Sequence, residues 1–251
     1  MSKIISVINH KGGVGKTTTT ANVAGALLTL GKKVLVVDLD GQANLTMSLG
    51  LRFDLDNTIY NAMRSNQPLP VYKNNQGINI VPSCLDLSAV ETELINEPGR
   101  ELILRNLLEP LKKEYDYIII DCPPSLSLLS INALTASDSI IIPVQAQYLA
   151  MKGMDKLLNI IQKVKQRLNP ILSIGGIVIT MYDGRTNLNK GVSELVKDAF
   201  NGKVYNTFIR MNITLAEAQA NGTDIYNYDP KCNGAVDYMN LTQEILEQSS
   251  K

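Results

Sequence analysis

The sequence predicts an α/β fold, a doubly wound and mostly parallel sheet with helices on both faces. Three observations predict it. Short β-branched runs alternate with longer helical patterns, the runs are apolar almost throughout, and the first of them ends in a glycine-rich turn that opens a helix. Such alternation implies parallel strands joined by crossover helices. Strands with no polar face are those covered on both sides.

In chain order the expected strands are Lys3 to Asn9, Lys33 to Asp38, Ile78 to Pro82, Tyr117 to Asp121, Ser139 to Val144, Ile174 to Thr180 and Lys203 to Ile209. Val34-Leu35-Val36-Val37 and Ile118-Ile119-Ile120 are the most uniformly apolar. Between Asp40 and Ile78 the rhythm weakens, and Asn74-Asn75-Gln76-Gly77 is a turn cluster. This stretch is expected to carry short helices rather than a separate domain. No repeat, low-complexity tract or linker interrupts the chain, so residues 1–251 are expected to form one domain, a length that α/β folds reach as single units. Val236 to Gln248 reads as a docking helix, with a frayed Ser249-Ser250-Lys251 behind it.

Composition excludes more than it assigns. Lysine plus arginine and aspartate plus glutamate each number 24, so no global charge drives the chain onto DNA or an anionic membrane, and any such surface must be local. The three cysteines, Cys84, Cys122 and Cys232, are odd in number, widely spaced and free of C-x-x-C spacing, which suits a reduced, intracellular protein. The first apolar run, Ile4 to Ile8, ends at Asn9 and His10 before a signal-peptide core could form. Nothing approaches the roughly 20 apolar residues of a membrane span. A cytoplasmic protein is expected.

The chemistry begins at Lys11-Gly12-Gly13-Val14-Gly15-Lys16-Thr17-Thr18. A strand ending at Asn9, a glycine-rich turn and a helix starting near Thr17 gather backbone N–H groups and a helix N-terminus around one point, which holds a polyphosphate. Gly12, Gly13 and Gly15 let the backbone approach without Cβ clashes, Lys16 reaches β and γ oxygens, and the Thr17 hydroxyl ligates magnesium. Thr18 is placed to bond another phosphate oxygen. ATP and magnesium are thus the expected ligands. A lone G-K-T would also fit a plain glycine-rich turn before an amphipathic helix; the acidic elements that follow argue against it.

A common P-loop has glycine where this chain has His10, and here a second lysine, Lys11, precedes the glycines. K-G-G-x-G-K-T-T is the deviant Walker A signature. On this motif the chain resembles the ParA/MinD family of partition and positioning ATPases over nearly its whole length, and is most similar to the short, chromosomal Soj-type ParA proteins, whose P-loop likewise sits at the N-terminus. The resemblance implies that Lys11 reaches the nucleotide of the other subunit, so that two ATP molecules are sandwiched in a homodimer, as an arginine finger would act.

Val36-Val37-Asp38-Leu39-Asp40-Gly41-Gln42 stands at a strand's C-terminal end, where ligands gather in open α/β sheets. It resembles the family's D-x-D-P-Q, which implies that Asp40 positions the attacking water and Asp38 supports magnesium through its water shell. Standing alone, such acids would also serve as turn formers or caps. Gly41 replaces the usual proline and is expected to loosen the turn. Tyr117-Ile118-Ile119-Ile120-Asp121-Cys122 is an apolar strand ending in an acid, a Walker B element, and Asp121 is expected to hold the magnesium shell opposite Thr17. Cys122 is expected to be a packed thiol, not the cluster ligand that related nitrogenase iron proteins use.

Further resemblances are looser. Pro143 to Met154 is similar to the family's P-x-Q-x-E-Y-x-A-x-x-G stretch leading into a dimer-facing helix, with Gln147 for its glutamate and with Met151 and Met154 expected to be packing residues. Met181-Tyr182-Asp183-Gly184-Arg185-Thr186-Asn187-Leu188 resembles M-[FY]-D-x-R-T-x-L, which makes Arg185, with Lys190, the candidate contacts to nonspecific DNA; a solvated surface is the plain alternative. Ile209 to Ala218 resembles I-P-R-N-V-R-L-S-E-A, the stretch that lines the adenine site, and places Asn212 at the nucleotide. Arg210 takes the proline's position, Met211 the first arginine's and Thr214 the second's, so position 214 carries no basic side chain for DNA. Tyr228-Asp229-Pro230 resembles a closing Y-D-P, and the tail after it carries acids where MinD-like members have membrane-binding lysines. No membrane partner is expected.

The expected function is therefore a nucleoid-associated ATPase that dimerises on Mg-ATP, binds DNA without sequence preference and drives DNA partition by hydrolysis that a ParB-like partner stimulates. A positioning switch for a protein complex and a metabolic phosphotransferase are the rival readings; no acceptor-binding motif supports the latter.

Overall fold

The computed structural model describes residues 2–52, 54–147, 153–200 and 202–249. Its strands are β1 (Lys3–Val7), β2 (Val34–Asp38), β3 (Tyr72–Lys73), β4 (Asn79–Val81), β5 (Tyr117–Asp121), β6 (Ser139–Gln145), β7 (Ser173–Tyr182) and β8 (Val204–Arg210). They form one sheet in the order β3-β4-β2-β5-β1-β6-β7-β8, parallel except for β3. All seven expected strands are present, with ends shifted by at most two residues. The two-residue antiparallel β3 is an addition, too short to leave a pattern in the sequence.

The helices are α1 (Lys16–Thr29), α2 (Asn44–Ser48), α3 (Ile59–Ser65), α4 (Val90–Glu93), α5 (Ile103–Leu108), α6 (Leu128–Ala136), α7 (Met154–Arg167), α8 (Asn187–Phe200), α9 (Ile213–Ala220), α10 (Ile225–Tyr228) and α11 (Asn233–Ser249). Successive strand residues point to opposite faces, and the sheet separates two apolar cores accordingly. Ile4, Leu35, Val37, Ile118 and Ile120 face α3 to α8, whereas Ile5, Val34, Val36 and Ile119 face α1, α2 and α9 to α11. Both faces being buried explains why the strands are apolar throughout. The expected short helices are α2 and α3. Ser249, expected to be frayed, ends α11; Ser250 and Lys251 lie outside the described residues, as do Tyr148 to Lys152 with Met151.

β8 is an edge strand, and α11 lies beside it. Glu244 accepts the Asn206 and Thr207 N–H groups at 2.8 Å each, so a tail acid satisfies donors that an open edge would offer to another chain.

The C-terminal ends of α2 and α9 meet backbone to backbone at Gly50 and Gly222. Both have positive φ, +82° and +67°, and a Cβ on Gly222 would lie 2.9 Å from the Gly50 Cα. Gly222→Ala is expected to lower stability by about 2–4 kcal/mol, combining roughly 1–2 kcal/mol of left-handed strain with a clash against backbone. Gly31→Ala is the control, because Gly31 has φ +75° but open space around it. Urea unfolding of both variants checks this; equal losses would mean that close approach contributes nothing.

Candidate functional site

The C-terminal ends of β1, β2 and β5 converge. In register Val7 pairs with Asp121 and Asp121 with Asp38, so two acids lie side by side next to the turn that leaves β1. Asn9 anchors that turn, its Nδ2 donating to the Pro143 carbonyl at 2.7 Å and its Oδ1 accepting the Lys11 N–H at 3.1 Å. Gly15 is the N-cap of α1 at φ +87° and offers no capping side chain, so the first-turn N–H groups are left for a ligand.

Around this turn is a cavity of about 470 Å³ lined by Gly12, Gly13, Gly15, Lys16, Thr17, Thr18 and Asp40 on one side and by Asn44, Met47, Ser48, Gln219 and Ala220 on the other. Lys16 is buried, and its Nζ donates to the Lys11 carbonyl at 2.9 Å. Burial lowers its pKa, opposed by the nearby carboxyl groups of Asp121 and Asp40. The Thr17 hydroxyl donates to Asp121 Oδ2 at 2.7 Å. Burial, followed by the neighbouring Asp38, pushes the Asp121 carboxyl up to about 8, while Thr17 and Lys16 pull it down. Val14 is buried and its carbonyl accepts the Thr180 hydroxyl, so only its backbone can face a ligand.

These residues fit a magnesium polyphosphate. A Cβ at Gly12 or Gly13 would meet no protein atom, so the space beside the loop is open. The buried Lys16 is part of its lining. A hydroxyl and a carboxylate, both hard oxygen donors of the kind magnesium takes, are already in contact.

Asp38 and Asp40 stand differently. Asp38 is fully buried and is pushed up to about 6 by burial, against its hydrogen bonds. Its Oδ2 accepts the N–H and hydroxyl of Thr46 at 2.8 and 2.7 Å, and its Oδ1 accepts the Asp40 N–H. It is thus tied to α2 behind Asp121. Asp40 is half-exposed and lines the cavity. The turn that carries it is not loose, contrary to expectation. The Asp40 carbonyl accepts the Ser83 hydroxyl at 2.7 Å and the Ala43 N–H at 2.9 Å, and its Oδ1 accepts the Gln42 N–H. Gly41 packs against Ser88, where a Cβ would collide with the Ser88 Oγ. The missing proline ring is replaced by close packing.

A second, mostly apolar cavity of about 390 Å³ adjoins the first and shares Gly15, Thr18 and Gln219 with it. Its other walls include Met181, Ile209 to Ile213, Leu215 and Tyr238. Asn212 is here as the N-cap of α9, its Oδ1 accepting the Thr214 N–H at 2.9 Å. Thr18 donates to Gln219 Oε1 at 3.3 Å, so in this structure its hydroxyl is engaged at the junction of the two cavities. Gln219 and Tyr238 join the site without having been legible in the sequence, since polar or aromatic residues in helices leave no local signature.

Arg185 and Lys190 line neither cavity. Both are exposed, but Arg185 forms a two-pronged pair with its own Asp183, at 2.9 and 2.8 Å. Cys122 is buried, which raises its thiol pKa, and Met154 is in the core. No helix among the described residues is long and apolar enough to cross a membrane.

A family profile described as an AAA domain matches residues 2–174. The sporulation initiation inhibitor protein Soj of Bacillus subtilis is 45% identical over 98% of this chain and 98% of its own length. The chromosome-partitioning ATPase Soj of Treponema pallidum is 41% identical over the whole of both chains. Among solved structures, cobyrinic acid a,c-diamide synthase from Mycobacterium smegmatis with bound ADP and magnesium superposes with a TM-score of 0.90 at 33% identity, covering 100% of this chain and 96% of that one. The septum site-determining protein MinD from Pyrococcus horikoshii, complexed with Mg-ADP, gives 0.82 at 26% identity, covering 99% and 98%. With a deviant Walker A loop, two strand-end acids in register with it and full-length likeness to Soj proteins, the chain belongs to the ParA/MinD family of P-loop ATPases and is Soj-like within it.

Proposed function

We propose that this protein is a ParA-like ATPase of DNA partition, which dimerises on Mg-ATP, holds DNA without sequence preference on the nucleoid in the cytoplasm, and is released by hydrolysis that a ParB-like partner stimulates. The observation that carries this reading is the gathering of Lys11, Lys16, Thr17, Asp40 and Asp121 at one loop of a Soj-like chain.

The backbone N–H groups from Gly12 to Lys16, with the open N-terminus of α1, would cradle the phosphates, and the Lys16 ammonium would neutralise the β and γ oxygens. Thr17 and Asp121 would hold magnesium, which when bound withdraws charge from the phosphate oxygens. Asp38, on the adjacent strand and fixed by Thr46, would support the magnesium through its water shell. Asp40, whose carboxylate borders the cavity, would hold the attacking water. Lys11 would extend to the nucleotide of the partner subunit. The second cavity, with Asn212 and its apolar walls, would take the base.

The structural likeness to a protein titled as a diamide synthase does not move the reading, because one fold hosts many activities. A positioning switch remains the second reading, and one observation favours it: Arg185 is already matched by Asp183. The two readings separate on DNA. Asp40→Ala protein held as its ATP dimer is expected to bind DNA of any sequence, with affinity falling steeply as salt rises. Alanine at Arg185 and Lys190 should make the slope of log affinity against log salt shallower by roughly 0.9 for each phosphate no longer neutralised. Lys190 should account for more of that change than Arg185, whose charge Asp183 offsets. A dimer with no DNA affinity at low salt would put the positioning switch first.

A further inference from the structure

We propose that Asp237 is a positioning residue for the base cavity, acting through Arg210; the inference rests on the reading of that cavity as the nucleoside site. Arg210 ends β8, and the next residues, Met211 and Asn212, form the cavity wall before α9 begins. One carboxylate takes four hydrogen bonds from Arg210. Asp237 Oδ2 accepts its backbone N–H at 3.0 Å, both carboxylate oxygens lie within 3.1 Å of its Nε, and Oδ1 accepts Nη2 at 2.6 Å. The Asp237 side chain is 7% exposed against 46% for Arg210, so the acid is the buried partner. A buried carboxylate is tolerated only when its oxygens are matched in this way.

The helix that carries Asp237 borders both halves of the site. Tyr238, next to Asp237, is fully buried, and its hydroxyl lies 3.3 Å from the Thr19 Oγ1 on α1, the helix that begins at the phosphate loop. One turn earlier in α11, Gly234 lies against Asn212 and Leu215, where a Cβ would meet Leu215 at 2.8 Å. The start of α11 therefore touches the base wall at Arg210, Asn212 and Leu215, and it bonds the phosphate helix at Thr19. On the other side the wall meets β7, where the Met211 N–H donates to the Tyr182 carbonyl at 3.1 Å. Without Asp237, Arg210 is free to turn to water, and Met211 with Asn212 loses the anchor on the α11 side.

The Arg210 N–H points away from β7, toward α11, so no ladder bond depends on it. A proline at 210 would need no acceptor and would fix the backbone covalently at an edge position that tolerates it. The test measures binding of ATP and of inorganic triphosphate, both with magnesium, by calorimetry, together with KM and kcat. Wild type is expected to bind ATP more tightly than triphosphate. Asp237→Ala should weaken ATP by roughly tenfold, the scale of one charge-assisted hydrogen bond, and leave triphosphate unchanged. KM should rise with kcat kept, and Arg210→Pro in the Asp237→Ala background should restore ATP affinity. Asp237→Asn keeps an acceptor for the N–H but not the charge, and should fall between. Equal weakening of ATP and triphosphate, or no weakening of ATP in either Asp237 variant, would overturn the assignment. Equal binding of ATP and triphosphate by wild type would instead remove the base-site reading on which it rests.

Discussion

Replacing Lys16 with alanine is expected to abolish the thermal stabilisation that Mg-ATP gives the wild-type protein. The lysine is buried in the lining of the phosphate cavity, where an ammonium can meet β and γ oxygens away from bulk water. Removing one partner of a buried charge pair costs roughly 2–5 kcal/mol, equivalent to about 30-fold to several-thousand-fold weaker binding. At a nucleotide concentration of about 100 times Kd the wild type gains about 2.7 kcal/mol, which for a chain of this size raises Tm by roughly 5–10 °C. The variant at the same concentration should gain almost nothing. Its stability without nucleotide should change little, because the lost attraction to Asp121 and Asp40 is offset by relief from burying an ammonium. Differential scanning fluorimetry with and without Mg-ATP reads both quantities. A Tm rise equal to wild type would sink the assignment of this cavity to phosphate.

How much of this site the sequence disclosed depends on how local each constraint is. The glycines of the loop, Lys16, Thr17 and the acids ending β2 and β5 lie in short segments whose spacing is itself the geometry, so they are legible as a string. Their mutual arrangement follows from strand register, which places Asp38 beside Asp121 without any further signal. The base cavity is different. Its walls come from β7, β8, α9 and α11, brought together only by tertiary packing, and Gln219 or Asp237 reads as an ordinary polar helix residue until the fold is known. The turn at Gly41 misleads for the same reason. Its rigidity comes from Ser83 and Ser88, more than forty residues downstream. Likewise, motif spacing offers Arg185 as a free cation, and only the folded loop reveals that Asp183, two residues earlier, is turned back onto it.

Lys11 and Asp40 should be separable by their variants, because the main-chain hydrogen bonds that hold each turn survive removal of the side chain. Two backbone bonds fix Lys11 in the loop: its carbonyl accepts the Lys16 Nζ, and its N–H donates to Asn9 Oδ1. Lys11→Ala therefore keeps Lys16 in place, and nucleotide should bind the monomer at near wild-type affinity. If the lysine serves the nucleotide of the other subunit, ATP-dependent dimerisation is what it loses. The Asp40 turn is likewise held by its main chain, through Asp38 Oδ1, Ser83 and Ala43, and Asp40→Ala gives up the hydrogen bond from Gln42 and the attraction to Lys16. This variant should bind ATP and dimerise, but phosphate release should fall by about 10²–10⁴, the range for losing a group that positions or deprotonates water. It should then remain locked as a dimer while ATP lasts. Light scattering in ATP, paired with a phosphate-release assay, distinguishes a monomer that binds nucleotide from a dimer that cannot turn over. Were both variants to stay monomeric, Asp40 would belong to assembly rather than to hydrolysis; were both to dimerise, Lys11 would have no role across the interface.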